Sequence, residues 1–303
     1  MVRRLIGSIL FFQAIAFGQE IDTPTLVVLG TVQDGGAPHM ACSKTCCIGL
    51  TDEEKSNRKV TALGLQMGED YVLFEATPDI VAQTQWMQQG GATQLQGIFL
   101  THAHIGHYGG LMYLGKEAWG AKHIPVYAME RMYQFLEQNG PWSQLVAEQN
   151  IELFPLADAV QIRINPKLYV TPILVPHRDE FSETVGFKIE GPHKKVLFVP
   201  DIDKWQRWSK SLIAELAQVD YALIDATFFD VAEINYRPIE QIPHPFVIET
   251  LELLQDLPTA EKAKVFFIHL NHTNPLLKPQ STASKKVEAL GFQIARLGDS
   301  FTL

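Results

Sequence analysis

The chain has 303 residues, of which 46% are apolar and 19% are charged, a composition typical of a globular protein with a sizeable core. Its formal net charge is −9 at pH 7, and no basic run follows the first few residues. Because binding to the phosphates of a nucleic acid requires a concentrated basic surface, the sequence predicts no nucleic-acid partner and favours a small-molecule substrate.

The first element is an apolar segment at the N-terminus. Two arginines precede an apolar run over residues 5–17, which is too short to cross a bilayer comfortably, and small residues stand at positions 16 and 18. This order of features predicts a secretory signal peptide over residues 1–18, followed by a single domain over residues 19–303. We expect a secreted, periplasmic protein with no membrane contact beyond export. A buried N-terminal strand or helix is the alternative.

A Gly-rich loop after the first predicted strand contains all three cysteines of the chain. Cys42, Cys46 and Cys47 follow His39 closely, and four such groups can form a structural zinc site. One disulfide or free buried thiols are the alternatives. Asp34 and His39 are interpreted as surface-loop residues, with a loop that overhangs a cleft as the alternative.

The rest of the chain alternates between strand and helix patterns, which predicts an α/β protein with helices outside packed sheets. The predicted strands cover residues 23–32, 60–68, 70–76, 95–102, 124–129, 168–177, 184–191, 194–203, 220–229 and 263–270, with a last strand pair over residues 291–303. The predicted helices cover residues 78–89, 108–120, 130–140, 212–218 and 246–257.

Four of the predicted strands end in side chains that can bind a metal ion. The four ends read "FLTHAHIGH", "LVPHRD", "LFVPDID" and "FFIHLNH". In α/β folds the loops at one end of a sheet build the functional site. We therefore expect these ends to converge on one site.

The first of these ends contains three histidines. His102 and His104 are two residues apart, the spacing of side chains on one side of an extended segment, and His107 follows a turn that Gly106 makes easy. Neutral imidazole suits zinc, iron and related ions. A single histidine is more often a surface or hydrogen-bonded residue, but this spacing at a strand end predicts a metal site.

The segment "THAHIGH" resembles the H-x-H-x-D-H signature of the metallo-β-lactamase superfamily, and "VPH", "VPD" and "FIH" follow in the order of its later ligand motifs. "LFEATPDI", "VPHRDEFSETVGFKI", "FIHLNHTNP" and the cysteine-rich loop resemble parts of one family within it, PQQ-biosynthesis protein B and its relatives. The resemblance covers residues 26–275. It implies a metallo-β-lactamase-like αββα sandwich, in which two mixed β-sheets carry helices on their outer faces and a metal cleft along one edge.

Carried over by position, the resemblance implies a first metal site formed by His102, His104 and His177. Asp201 would lie between this site and a second one. Three protein ligands with one open position are the pattern of a catalytic zinc, which lowers the pKa of a bound water to ~7.

The implied second site departs from the superfamily pattern. Its ligands would include His107 and His269, but the aspartate of H-x-H-x-D-H is replaced by Gly106. We expect this loss to weaken the second site or change its preferred metal, and an aspartate restored at position 106 to tighten it. His272 is a candidate substitute ligand, and a surface position or a place behind the ligands is the alternative.

Three residues are candidates for the catalytic steps: Asp201, His272 and His244. His244 is bracketed by prolines, which would hold it rigidly in the pocket. Behind the ligands, Asp79 is the first candidate to accept a hydrogen bond from a ligating histidine, and Glu75 is the second.

These residues lead to three functional hypotheses. The first is a hydrolase that uses one or two Zn²⁺ ions, besides a structural Zn²⁺, to attack an ester, amide, lactone or phosphodiester bond. The second is an Fe²⁺-dependent oxygenase, as the resemblance to PQQ-biosynthesis protein B implies, although an export signal argues against cytoplasmic cofactor assembly. The third is a non-catalytic metal or ligand binder.

Overall fold

The structure is a computed structural model that describes residues 23–234 and 242–303. The predicted signal peptide, residues 1–18, lies outside the described residues, and the domain boundary at residue 19 stays a prediction. Within the described ranges, none of the helices is long and apolar enough to cross a membrane.

Seven strands form the first sheet. They are β1 (Thr25–Gly30), β2 (Ala62–Met67), β3 (Asp70–Phe74), β4 (Gln94–Phe99), β5 (Ile124–Met129), β6 (Ile151–Leu156) and β14 (Ser300–Thr302). Their spatial order is β14-β1-β2-β3-β4-β5-β6. The first pairs are antiparallel, whereas β3 to β6 run parallel, so this sheet is mixed.

Seven further strands form the second sheet. They are β7 (Ile162–Asn165), β8 (Leu168–Leu174), β9 (Val185–Glu190), β10 (Lys195–Val199), β11 (Tyr221–Asp225), β12 (Val265–Ile268) and β13 (Gln293–Ile294). Their spatial order is β13-β12-β11-β10-β9-β8-β7. The predicted hairpin is the antiparallel pair β9 and β10, and β10 to β13 run parallel.

The helices connect these strands. They are α1 (Asp52–Ser56), α2 (Ile80–Gln89), α3 (Ile105–Tyr108), α4 (Glu130–Gln138), α5 (Trp142–Ala147), α6 (Leu212–Leu216), α7 (Val247–Leu253), α8 (Thr259–Lys262) and α9 (Thr282–Ala289). Short 3-10 turns cover Gly109–Leu114, Trp205–Arg207, Val231–Glu233 and Pro275–Leu277.

The two sheets pack face to face over an apolar layer that both supply. In β10, Val196 and Phe198 point into this layer, whereas the alternate Leu197 and Val199 point to the outside of the sheet. Phe74 of the first sheet lies 5.5 Å, between ring centroids, from Phe187 of the second. This inner layer is the centre of the sandwich.

Each sheet carries helices on its outer face. Residues of α2, α4 and α5 pack against the first sheet in one apolar cluster, and residues of α6, α7 and α9 pack against the second sheet in another. The order of layers is helix, sheet, sheet, helix. The structure therefore confirms the predicted αββα sandwich of two mixed sheets.

Two predicted elements differ from those observed. The last strand pair is not a pair, because β13 joins the second sheet beside β12 and β14 joins the first sheet beside β1. The helix predicted over residues 108–120 is not regular: a single α-helical turn over Ile105–Tyr108 precedes Gly109–Leu114, which is a 3-10 turn. Here Gly110 donates its N–H to the Ala76 carbonyl, and this close backbone approach takes the place of a regular helix.

Candidate metal centre

The four strand ends converge at one edge of the sandwich, as the sequence predicts. His102 and His104 follow β4, His177 follows β8, and Asp201 follows β10. The His102 Nε2 atom lies 2.8 Å from His104 Nδ1, which lies 3.3 Å from His177 Nε2. The Asp201 Oδ2 atom lies 3.2–3.8 Å from these three nitrogens. We call these four residues the first ligand set.

The spacing of this set matches the requirements of a small cation. Tetrahedral zinc with bonds of about 2.1 Å to nitrogen and oxygen holds its ligand atoms about 3.4 Å apart. The observed separations lie on both sides of that value. Burial and the neighbouring His107 lower the pKa of His102 well below its usual value, so His102 is neutral and its lone pair can bind a metal. The residues present therefore fit the metal that the sequence predicts.

A second ligand set lies beside the first. It comprises His107 in α3, His269 after β12, Asp201, and Asp34 from the loop after β1. The Asp34 Oδ1 atom lies 2.8 Å from His107 Nε2 and 3.2 Å from His269 Nε2. The ligand atoms of the set all lie within 4.8 Å of one another.

Asp201 joins the two sets. Its Oδ2 atom lies 3.9 Å from His107 Nε2 in the second set, besides its contacts in the first. Burial acts to raise the pKa of Asp201, but the neighbouring His177 and His244 hold it well below its usual value. The side chain is therefore an ionised carboxylate, the form in which it can bind metal ions on both sides.

The second ring nitrogen of each candidate histidine ligand faces an oxygen atom. The partners are Thr101 Oγ1 for His102 (2.8 Å), Glu180 Oε2 for His104 (3.5 Å), Glu75 Oε1 for His107 (3.1 Å), Asp203 Oδ1 for His177 (3.3 Å) and Thr227 Oγ1 for His269 (2.9 Å). The contacts of His102, His177 and His269 are hydrogen bonds, which fix the tautomer and the orientation of a metal-binding imidazole. Glu180 and Glu75 lie at ion-pair distance from His104 and His107.

Of the two carboxylates predicted behind the ligands, Glu75 lies there and Asp79 does not. Asp79 instead accepts the backbone N–H of Val60 at 2.8 Å. Glu75 is fully buried and has a left-handed backbone with φ +80°, as has His269 with φ +65°. Non-glycine residues adopt this conformation at a cost, and such residues cluster at functional sites.

Gly106 lies directly against Asp34. A Cβ atom built at position 106 would lie 2.4 Å from Asp34 Cα and 2.5 Å from Asp34 Cβ. The structure thus corrects the expectation that an aspartate at position 106 would tighten the second site, because that side chain would collide with the loop that carries Asp34.

The three thiols form a separate cluster with a histidine. The Cys42 and Cys46 Sγ atoms are 3.9 Å apart, and those of Cys46 and Cys47 are 3.8 Å apart. These distances exclude a disulfide in this structure and match the ~3.8 Å between sulfurs of a tetrahedral zinc–thiolate site with bonds of about 2.3 Å. His272 completes the cluster.

Two predictions about this part of the molecule are wrong. His272 is predicted to be a catalytic residue, but it lies with the thiols, because the chain after His269 turns toward the cysteine loop. His39, predicted as the fourth zinc ligand, stacks its ring on that of His272 at 4.5 Å between centroids and donates its backbone N–H to Cys47 Sγ. Its ring also lies against Gly35, and the group of possible ligand atoms contains His272 and not His39.

His244 lies beside the first ligand set. Its Nδ1 atom is 2.9 Å from Asp225 Oδ2 and 3.2 Å from Asp201 Oδ1. Burial acts to lower the pKa of His244, but these two carboxylates raise it to about 10. The structure thus places His244 against Asp201, and its predicted role in a pocket stays a prediction.

Sequence reasoning missed Asp34 as part of the centre and ranked Glu75 too low. A signal for both was present, since Asp34 closely follows the predicted strand over residues 23–32 and Glu75 lies at the end of the one over residues 70–76. Asp34 lies in a Gly-rich loop, and that composition favoured the surface interpretation.

The comparisons with known proteins agree with this geometry. A family model described as "Beta-lactamase superfamily domain" matches residues 70–270. Coenzyme PQQ synthesis protein B of Nitrosococcus oceani is 26% identical over 306 residues, which cover 88% of this chain and 96% of the relative.

Two solved structures are similar in fold. One is Zn²⁺-bound PqqB from Methylobacterium extorquens, with a TM-score of 0.75 and 23% identity, covering 92% of this chain and 100% of that chain. The other is a diphosphatase from the PhnP family, with a TM-score of 0.63 and 20% identity, covering 92% of this chain and 96% of that chain. The matches confirm the resemblance that the sequence motifs predict.

Proposed function

The chain belongs to the β-lactamase superfamily, and from this premise we propose that it is a zinc-dependent hydrolase that cleaves an ester, amide, lactone or phosphodiester bond of a small molecule. One observation carries the proposal. Two ligand sets share a single carboxylate oxygen of Asp201, which is an arrangement for two ions that act on one substrate.

The chain's own residues would hold and orient the ions. The first set offers three imidazole nitrogens and the second offers two, and the carboxylates are Asp34 in the second set and Asp201, which the two sets share. When bound at these sets, zinc supplies a hydroxide nucleophile at neutral pH and polarises the bond under attack. The oxygen partners behind the histidines keep their lone pairs aimed at the ions.

His244 would contact the substrate at the side of the first set. Its Nδ1 atom is engaged by Asp225 and Asp201, so only Nε2 can meet a substrate. A hydrogen bond from this atom to the leaving group is the task that its position allows.

The experiment compares protein freed of metal by a chelator with protein reloaded with Zn²⁺, on model esters, lactones, amides and phosphodiesters. We expect turnover of at least one class after loading. His104→Ala should lose both metal and turnover, whereas His123→Ala, which changes an exposed histidine, should lose neither. Full metal content and activity in His104→Ala would overturn the site assignment, and no turnover of any class would favour a non-catalytic binder.

An iron-dependent oxygenase is the second candidate function. The observation that favours it is similarity over nearly the whole chain to proteins named for coenzyme PQQ synthesis. Imidazole and carboxylate ligands suit iron as well as zinc. Oxygen consumption by Fe²⁺-loaded protein, together with no hydrolysis by the Zn²⁺-loaded form, would replace the hydrolase proposal with this one.

A further inference from the structure

We propose that Asp34 is a ligand of the second metal ion, taking the place of the aspartate that is absent at position 106, and that Gly106 is needed to make room for it. The inference rests on the metal centre of the proposed function. It concerns a residue outside the histidine motif, supplied by a loop some seventy residues earlier in the chain.

The first argument is the convergence of three ligand atoms. The His269 Nδ1 atom contacts Thr227 Oγ1 at 2.9 Å, so Nε2 is the ring nitrogen that faces the centre. The Nε2 atoms of His107 and His269 lie 2.8 and 3.2 Å from Asp34 Oδ1. Two ring nitrogens and a carboxylate oxygen that meet in this way can enclose a metal ion, which displaces the proton that they share.

The second argument is steric. The Cβ of any side chain at position 106 would lie 2.4–2.9 Å from the Cα, Cβ and Cγ atoms of Asp34. The nearby Gly109 is different, because its Cβ would meet the Ile105 side chain at an ordinary 3.4 Å. Asp34 and a residue at 106 thus compete for one space, and in this chain Asp34 occupies it.

The third argument is that the backbone fixes Asp34 beside His269. Gln33 donates its N–H to the Leu270 carbonyl at 2.9 Å, and Leu270 donates its N–H to the Thr31 carbonyl at 2.8 Å. Val32 and Leu270 therefore pair like residues of neighbouring strands, with Asp34 two residues after Val32 and His269 directly before Leu270. These backbone hydrogen bonds hold the Asp34 carboxylate in place before any ion binds, and such preorganisation favours metal binding.

The test measures metal content and affinity in four variants of the full chain. Asp34→Asn removes the charge but keeps the shape, and Asp52→Asn is its control on an exposed aspartate of α1. Gly106→Ala removes no ligand but displaces Asp34, and Gly109→Ala is its control. The readouts are metal per chain, chelator competition, and the spin coupling between two Mn²⁺ ions in the electron paramagnetic resonance spectrum.

We expect the wild type and both controls to hold two coupled ions at the centre. Asp34→Asn and Gly106→Ala should each lose the coupling and bind the second ion at least about 100-fold more weakly, while the first ion stays. Retention of the first ion also shows that the variant has folded, since that site needs segments from both sheets. A thiol-held ion adds equally to every variant and cancels in the comparison.

Two results would overturn the inference. One is an unchanged second ion in Asp34→Asn and Gly106→Ala, and the other is a wild type with a single ion at the centre. Both leave a metal-dependent hydrolase intact. If instead His104→Ala contains as much metal as the wild type, the metal centre itself, and with it the proposed function, is wrong.

Discussion

Glu75 connects the two ligand sets without belonging to either. Its Oε1 atom accepts the Thr101 hydroxyl hydrogen at 2.5 Å, and that hydroxyl contacts His102 Nδ1 in the first set. The same Oε1 atom lies 3.1 Å from His107 Nδ1 in the second set. A single buried carboxylate therefore orients one histidine on each side of Asp201.

The substitution Glu75→Gln tests this connection between the two ligand sets. The amide keeps the shape but loses the charge that orients both imidazoles, so we expect both ions to bind about 10–100-fold more weakly. Chelator competition measures the two affinities separately. Glu53→Gln, on an exposed glutamate of α1, is the control. A loss confined to one ion would contradict the shared role of Glu75.

His244→Asn tests a residue that contacts Asp201 but belongs to neither ligand set. The substitution removes the His244 Nε2 atom, which faces the substrate, and keeps every candidate metal ligand. We therefore expect kcat to fall at least about 100-fold while the metal content stays unchanged. His193→Asn, outside the centre, should keep full kcat. If His244→Asn releases metal without any change in kcat per bound ion, the residue is a support of the ligands.

The loop between β1 and α1 connects the candidate metal centre with the thiol cluster. It begins with Asp34 in the second ligand set and ends with the cysteines of the thiol cluster. The segment after β12 makes the same connection, since it carries His269 in the second set and His272 among the thiols. The thiol cluster thus holds together the two segments that supply half of the second set.

From this connection we predict the effect of Cys46→Ser. It should release the thiol-held ion and weaken the second ion of the centre more than the first, because only the second set depends on this loop. Metal content with chelator competition measures both effects, and Ser43→Ala is the control in the same loop. An equal weakening of both ions would show that the thiol cluster supports the fold in general.

Some residues of the site can be predicted from the sequence and others cannot, because their positions depend on different kinds of contact. The residues His102, His104 and His107 form one local motif, and an apolar strand ahead of His177, Asp201 or His269 marks each later ligand. Asp34 is different, because its role depends on pairing with a segment more than two hundred residues away. The partners of the two strands predicted over residues 291–303 are also distant in the sequence. The pattern therefore predicts the two strands but not that they join different sheets.

For the whole molecule, the face-to-face packing of the sheets determines stability. Phe187 is fully buried between them, in contact with the rings of Phe74 and Phe99. We predict that Phe187→Ala lowers the free energy of unfolding by about 3–5 kcal/mol, through lost burial and the cavity that remains. Phe181→Ala, at a side chain that is 61% exposed, should cost less than about 1 kcal/mol. Denaturant unfolding with saturating Zn²⁺ measures both, and similar costs would contradict this account of the core.

Export is also a property of the whole molecule, and it stays a prediction. If residues 1–18 are a signal peptide, a bacterium that expresses the full chain should contain a periplasmic product that begins at Gln19. N-terminal sequencing and the intact mass of the purified protein measure this directly. A cytoplasmic protein that retains residue 1 would contradict it.

The ligands of the centre are spread along almost the entire chain, and this affects when each set can form during synthesis. The first set is complete once residue 201 has left the ribosome, whereas the second also needs His269, which is synthesised later. No nascent fragment that stops before residue 269 contains the second set. The two ions would therefore be acquired in order, and the second would come from the metal pool that the finished chain meets.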